Sequence, residues 1–277
     1  MAKSAASPAL QTSSNLDDSL RSFRDSGVLI LERVLSAELI RHVRSAFDRE
    51  LESYIARKGG LGALEGKTFG KNHIGFFPPL HLPLGSPDLL ANPRVVPLLG
   101  ALLGEDLHCS FVHTNTAMPG SGTQAIHRDQ QPLFGGELST PHPAASIVLN
   151  IPLCDFTPQN GSTEYWPGTH LTVDDGPGDA AQLEQRALSL PSRRLNMAVG
   201  SVALRDMRVW HRGVPNETSE PRTMLAIVYQ RAFLSYTPIT VPRSTWDSWP
   251  DQARNIFRRA RVVADAEHRP LTWEEMR

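Results

Sequence analysis

Residues 105–235 carry their apolar side chains in short β-like runs, Leu107 to Thr116, Ala145 to Leu153, Ser201 to Arg205 and Thr223 to Phe233, separated by clusters of turn-forming residues. Runs of this length, punctuated in this way, read as strands of a β-barrel or jelly roll. The 20 Gly and 22 Pro agree, because such content favours many turns over long uninterrupted helices.

Before this block the periodicity is helical. Leu16, Leu20 and Phe23 precede a break at Ser26-Gly27 and a short buried strand, Val28 to Leu31. A packing helix begins near Ser36, with Leu39, Ile40, Val43, Phe47, Leu51 and Ile55 on one face. Residues 58–88 are rich in Gly and Pro and read as a long loop over the surface or a pocket. One further helix is expected from about Pro87 to Leu103, ending at Gly104. After Pro238 helical spacing returns as a stripe of Ala253, Ile256, Phe257, Ala260 and Val263, beside a basic face of Arg254, Arg258, Arg259 and Arg261 expected to be solvated. The expected organisation is a disordered tail over 1–15 and one domain over 16–277. Within it lie a helical support layer at 16–104, a jelly-roll core at 105–235 and a C-terminal helical segment at 236–277.

Charge narrows the partners. Lys and Arg number 28 against 29 Asp and Glu, so the net charge of -1 gives no electrostatic footprint for nucleic acid or a polybasic membrane surface. No apolar run approaches the roughly 20 residues of a membrane span. Two cysteines, Cys109 and Cys154, make no disulfide framework. The expectation is a cytoplasmic enzyme acting on a small molecule, with a homodimer open.

His127-Arg128-Asp129 places two ligand types two positions apart, which in a strand puts both on one face. Alone this triplet is weak, because short motifs arise by chance. His211, in Val209-Trp210-His211-Arg212-Gly213, supplies a third ligand after a strand-like run. Two histidines and one carboxylate suit an octahedral Fe(II) with open positions better than a closed structural zinc. Arg222 follows a turn-rich stretch and could point into the same cavity. A planar guanidinium stays charged when desolvated and binds a carboxylate through two parallel hydrogen bonds. Without the triad it would read as an ordinary strand arginine.

Together these residues resemble the phytanoyl-CoA dioxygenase-like branch of the iron(II)- and 2-oxoglutarate-dependent oxygenases. The resemblance rests on Gln124-Ala125-Ile126-His127-Arg128-Asp129-Gln130, on Asn160-Gly161-Ser162-Thr163 leading to Pro167-Gly168-Thr169-His170, and on His211-x-Gly213-x-x-Asn216 with Ser219 and Arg222. It covers about residues 18–235. It implies a mixed α/β fold dominated by β, a double-stranded β-helix (jelly roll, cupin-like barrel), with iron held by His127, Asp129 and His211. It also implies that Arg222 binds the distal carboxylate of 2-oxoglutarate while Gln124 and Thr163 help hold its metal end. Gln124 and Thr163 read equally as a strand-end hydrogen bond and a turn residue. Arg222-Thr223-Met224 departs from the Arg-x-Ser of the related plant and penicillin-type synthases, and Asp129 stands where iron halogenases carry a small residue.

The implied reaction consumes 2-oxoglutarate and O2, releases succinate and CO2, and hydroxylates, desaturates, epoxidises or rearranges a substrate at an unactivated C–H bond. Substrate contacts are expected from loops flanking the metal strand, at Asn72, Phe77, Met118, Leu133 and Phe134. No basic cluster looks like a cradle for the phosphates of an acyl-CoA, so the expected substrate is a small, largely apolar metabolite of secondary metabolism. Other readings are an acyl-CoA hydroxylase, a metal-containing binding protein without catalysis and a metal-dependent hydrolase, the last giving no reason for Arg222.

Overall fold

The computed structural model describes residues 13–64, 70–134, 137–173 and 180–276. Helix α1 (Ser13–Ser26) leads to strand β1 (Val28–Leu31), then α2 (Ala37–Arg57), β2 (His73–Ile74), α3 (Pro87–Leu90) and α4 (Val96–Leu103). The β-rich part follows as β3 (His108–Ala117), β4 (Ser146–Pro152), β5 (Glu164–Tyr165), α5 (Ala180–Leu188), β6 (Arg193–Arg194), β7 (Val202–Asp206), β8 (His211–Arg212) and β9 (Arg222–Gln230). The chain ends through β10 (Thr240–Pro242), α6 (Arg243–Ser248), α7 (Asp251–Ile256) and β11 (Arg261–Val263). No helix among the described residues is long and apolar enough to cross a membrane.

Six strands form the major sheet in the order β1-β7-β4-β9-β3-β2, and β6-β5-β8 form a smaller one. This is the mixed, β-dominated jelly-roll class expected, but residues 127–129 form no regular strand and join the smaller sheet only through an isolated bridge, His127 to His211.

The two-residue period of a strand separates the faces of the major sheet. Leu225, Ile227 and Tyr229 of β9, with Ile147, Leu149 and Ile151 of β4, sit in the main hydrophobic core with Phe47, Leu89 and Leu98 of the helices. Arg222, Met224, Ala226 and Val228 of β9, with Phe111, His113 and Asn115 of β3, line a cavity on the other face. Their register is direct: Phe111 pairs with Val228, His113 with Ala226, Asn115 with Met224 and Ala117 with Arg222. Because β4 and β9 are buried on both faces, they read as continuous apolar runs rather than alternating ones.

Local signals explain most boundaries. Ser36 caps α2 by accepting the Leu39 N–H at 3.1 Å. The single helix expected over 87–103 is two, because Pro93 cannot continue a helical turn and Asn92 accepts the Arg94 N–H across the break. The loop at 58–88 is not wholly a surface loop: Phe76, Phe77, Leu80 and Leu84 are buried, and His73–Ile74 pairs with β3. The C-terminal segment is also less helical than its spacing suggests. Its helix ends at Ile256, and β11 pairs in parallel with β10. Nor are its arginines simply solvated: Arg258 donates to the Leu107 carbonyl at 2.7 Å and Arg259 to that of Ala232 at 2.6 Å. Of the expected tail, residues 1–12 lie outside the described residues and 13–15 belong to α1.

Candidate active site

His127 and His211 face each other through a two-way backbone pair, each N–H donating to the other's carbonyl at 3.0 and 2.9 Å. Their rings lie 4.3 Å apart. In both, Nδ1 approaches the carbonyl two residues earlier, Ala125 at 2.9 Å for His127 and Val209 at 3.0 Å for His211. A carbonyl can only accept, so each Nδ1 carries the proton and each Nε2 keeps its lone pair. Asp129 stands between them, its Oδ1 3.8 Å from His127 Nε2 and its Oδ2 3.6 Å from His211 Nε2. One ligand atom from each of the three lies within 4.8 Å of the others, a spacing that suits a single cation.

The electrostatics keep these donors in ligating form. Burial and the neighbouring Arg205 hold the His211 ring well below its ordinary range, so it stays neutral. Burial pushes the Asp129 carboxyl up, but the groups facing it outweigh this, and with both rings neutral it is the charged Arg205, which also donates to it, that holds the group below the usual carboxylate range. Arg205 makes the shortest contact, its Nη2 donating to Asp129 Oδ2 at 2.6 Å.

Arg222 is 1% exposed, lies 4.7 Å from the Phe156 ring, and leaves Nε and Nη1 without a hydrogen-bond acceptor among the described residues. A buried guanidinium with unused N–H groups facing a cavity is the feature a carboxylate ligand would satisfy. Asn216 sets this position: its Nδ2 donates to the Ala117 and Glu220 carbonyls at 2.9 and 2.8 Å, and its Oδ1 accepts from Thr218. The turn so formed delivers the chain into β9 at Arg222. Thr163 lines the cavity as well, its carbonyl held by the Leu195 N–H at 2.8 Å.

Gln124 also lines the cavity, and its Oε1 accepts the Gly213 N–H at 2.7 Å. Only glycine fits at 213, because a Cβ there would sit 2.5 Å from Gln124 Oε1 and 2.6 Å from His73 Cε1. Gln124 therefore fastens the segment that carries His211, in keeping with the strand-end reading open in the sequence.

The cavity holds about 260 Å3. Besides the triad, Arg222, Gln124 and Thr163, its walls include Phe111, Val148, Met207, Met224, Val228 and Trp273, with His113, Asn115, Asn150 and Arg205 as polar members. Buried Asn115 Oδ1 and Asn150 Nδ2 have no hydrogen-bond partner. His113 is pushed down to about 3 by burial.

None of the five residues expected at the substrate lines this cavity. Asn72 and Met118 bind each other, the Met118 N–H donating to the Asn72 carbonyl at 2.9 Å, near the Ala117 and Arg222 end of the sheet. Leu133 donates to the His142 ring, and Phe134 packs edge-on against the same ring with 48% exposure. Phe77 stands behind the wall, its ring 5.4 Å from that of His113 and 4.7 Å from that of Trp273. Most of the cavity wall is not marked as such in the sequence, and two of its members differ in the signal they offer. Arg205 had one available signal, a charge at an inward register position of a buried strand. Trp273 comes from the C-terminal segment and had none.

Residues 23–224 match the phytanoyl-CoA dioxygenase (PhyH) family. Among curated proteins, the chain is 28% identical over 166 residues to dioxygenase af480 of Aspergillus fumigatus, a match covering 58% of this chain and 48% of that one, so about half of that relative's length. It is 28% identical to the ectoine dioxygenase of Nocardia farcinica, over 76% of both chains. Among solved structures, the 2-oxoglutarate-dependent carbocyclase SnoK from nogalamycin biosynthesis superposes with a TM-score of 0.60 at 21% identity, covering 79% of this chain and 85% of that one. EctD from S. alaskensis, with 2-oxoglutarate and 5-hydroxyectoine, gives 0.57 at 21% identity over 76% and 74%. The family match spans well over half of the chain and shows that it belongs to the phytanoyl-CoA dioxygenase (PhyH) family.

Proposed function

We propose that the protein oxidises an unactivated C–H bond of a small, largely apolar metabolite in secondary-metabolite biosynthesis. The observation that carries this reading is a single cavity that joins the triad and Arg222 to walls of Phe111, Val148, Met207, Met224, Val228 and Trp273. When bound, iron(II) and 2-oxoglutarate would supply oxygen activation, with one oxygen atom of O2 going to succinate, the other available to the substrate, and CO2 released. His127, Asp129 and His211 would hold the metal. Arg222 would hold the distal carboxylate and Thr163 would lie beside the cosubstrate. The protein's own contribution is then positioning and exclusion of water from the reacting atoms.

Size and polarity support the substrate class. About 260 Å3 is small for a pocket that takes both a cosubstrate and a substrate, since ligand sites commonly hold ~300–1,000 Å3. The cations in its wall are committed elsewhere, Arg205 to Asp129 and Arg222 to the cosubstrate carboxylate, which leaves an acyl-CoA no phosphate seat within the cavity. Asn115 and Asn150 favour a substrate with at least one hydrogen-bonding group. Relatives and neighbours named for nogalamycin biosynthesis and ectoine fit a small-molecule substrate.

The test is anaerobic visible absorption of the protein with Fe(II), before and after 2-oxoglutarate, in wild type and Arg222→Ala, followed by succinate release across a substrate panel. A weak charge-transfer band that needs far more 2-oxoglutarate in the variant is expected. No band despite stoichiometric iron would favour a metal-containing binding protein. Stimulation of succinate release by acyl-CoA esters alone would reverse the substrate class.

A further inference from the structure

Arg205 sits on β7 opposite Val148, with its side chain in the cavity and 5% of the residue exposed. Its Nη2 donates to Asp129 Oδ2 at 2.6 Å, and its Nη1 lies 3.2 Å from His211 Nδ1. The second contact is not a hydrogen bond in the ligating form of His211, because Nδ1 already carries the proton it gives to Val209. What Arg205 grips is therefore one oxygen of the carboxylate.

A carboxylate can ligate through one oxygen or through both. An octahedral iron(II) held by two imidazoles and one carboxylate oxygen would have room for the two chelating atoms of 2-oxoglutarate and one further ligand, O2. Ligation by both carboxylate oxygens would consume that last position. We propose that Arg205 is a positioning residue that holds Asp129 to a single ligating oxygen and thereby keeps the oxygen-entry position open. This rests on the iron and 2-oxoglutarate reading above.

The residue type suits the task. A charge-assisted bond from a guanidinium is short and strong, and the guanidinium keeps its charge when buried. A cation beside a divalent metal also opposes metal binding, which gives the role a signature. Loss of a mere structural prop would weaken the fold and the metal site together. Loss of a restraint on Oδ2 would leave iron bound as tightly or more tightly and would show only when the remaining positions are nearly full.

Nitric oxide serves as the probe for the oxygen position, read by electron paramagnetic resonance of the anaerobic Fe(II) protein with and without 2-oxoglutarate. Without 2-oxoglutarate, wild type, Arg205→Lys and Arg205→Met should bind nitric oxide alike. With it, Arg205→Met should bind nitric oxide about tenfold more weakly, the low end of what partners of metal ligands contribute, while Arg205→Lys stays within about threefold of wild type. Affinities for Fe(II) and 2-oxoglutarate should hold or rise in both variants. Arg205→Gln, shorter and uncharged, replaces Arg205→Met if that variant does not fold. Undiminished nitric oxide binding by the uncharged variant in the presence of 2-oxoglutarate overturns the proposal, as does a joint loss of iron affinity and melting temperature. A wild-type protein that gives no Fe(II)–2-oxoglutarate absorption band overturns the reading of the site itself, and the proposal with it.

Discussion

Replacing Arg222 by methionine should make the metal-free protein more stable and the cosubstrate bind more weakly. The guanidinium is 1% exposed with Nε and Nη1 unpaired, and burial pushes it down from an ordinary 12.5 to about 10. At about 1.4 kcal/mol per tenfold, that drop corresponds to roughly 3 kcal/mol of penalty borne by the buried guanidinium. Contact with the Phe156 ring at 4.7 Å returns ~0.5–2 kcal/mol, and methionine keeps only part of the packing of the arginine stem. The net gain is about 1–2 kcal/mol, or roughly 2–6 °C in melting temperature for a domain of this size. Removing the charged partner of a buried carboxylate costs ~2–5 kcal/mol, so at about 3 kcal/mol the 2-oxoglutarate Kd should rise roughly 150-fold. Scanning calorimetry without metal, then thermal shifts with Mn(II) and a 2-oxoglutarate titration, measure both effects. A lower melting temperature in the metal-free variant together with an unchanged 2-oxoglutarate shift would refute the argument, because it would make Arg222 a structural cation.

The remaining predictions concern other parts of the molecule. His108 is fully buried and is pushed down to about 4 by burial and by Arg259 and Arg258. Below about pH 6.5 the unfolded chain binds a proton there that the folded chain refuses, so this residue's contribution is present above pH 6.5 and is lost as pH falls toward 4, at up to ~1.4 kcal/mol per pH unit. Melting temperatures from pH 7 to 5 should fall less steeply in His108→Gln, and parallel slopes would show that the acid sensitivity lies elsewhere. Asn216→Ala removes the bonds that shape the turn before Arg222, so a loss of ~2–4 kcal/mol in urea unfolding is expected, with weaker 2-oxoglutarate binding alongside. A stability loss with unchanged cosubstrate affinity would separate the turn from the site. Trp273→Ala should admit bulkier members of a substrate panel at unchanged 2-oxoglutarate affinity, since the ring forms cavity wall away from Arg222; an unaltered size profile would remove Trp273 from the substrate's path.

What the sequence made legible follows from how local each signal is. The strands appeared because burial on both faces of β4 and β9 leaves unbroken apolar runs, and the triad positions appeared because H-x-D in a strand and a later His are a short-range pattern. The break at Pro93 is equally local, but the apolar spacing that continues through it reads as one helix. The substrate wall is a different kind of object. Phe111, Val148 and Val228 are neighbours only through register across three strands, and at each of them the apolar side chain would look the same facing the helices. Met118, Leu133 and Phe134 flank the His127–Asp129 segment in sequence and Asn72 comes from the long loop, yet their contacts lie off the cavity wall, the Asn72 amide donating to the Pro119 carbonyl and the Leu133 N–H to the His142 ring. Trp273 marks the limit most sharply. It reaches the cavity from beyond the family match at 224, held by its indole N–H donating to the Gly75 carbonyl at 3.4 Å and by the rings of His113 and Phe77. The part of the chain that carries the shared chemistry was thus readable from its motif, whereas the part that shapes what enters the site belongs to packing that no short pattern encodes.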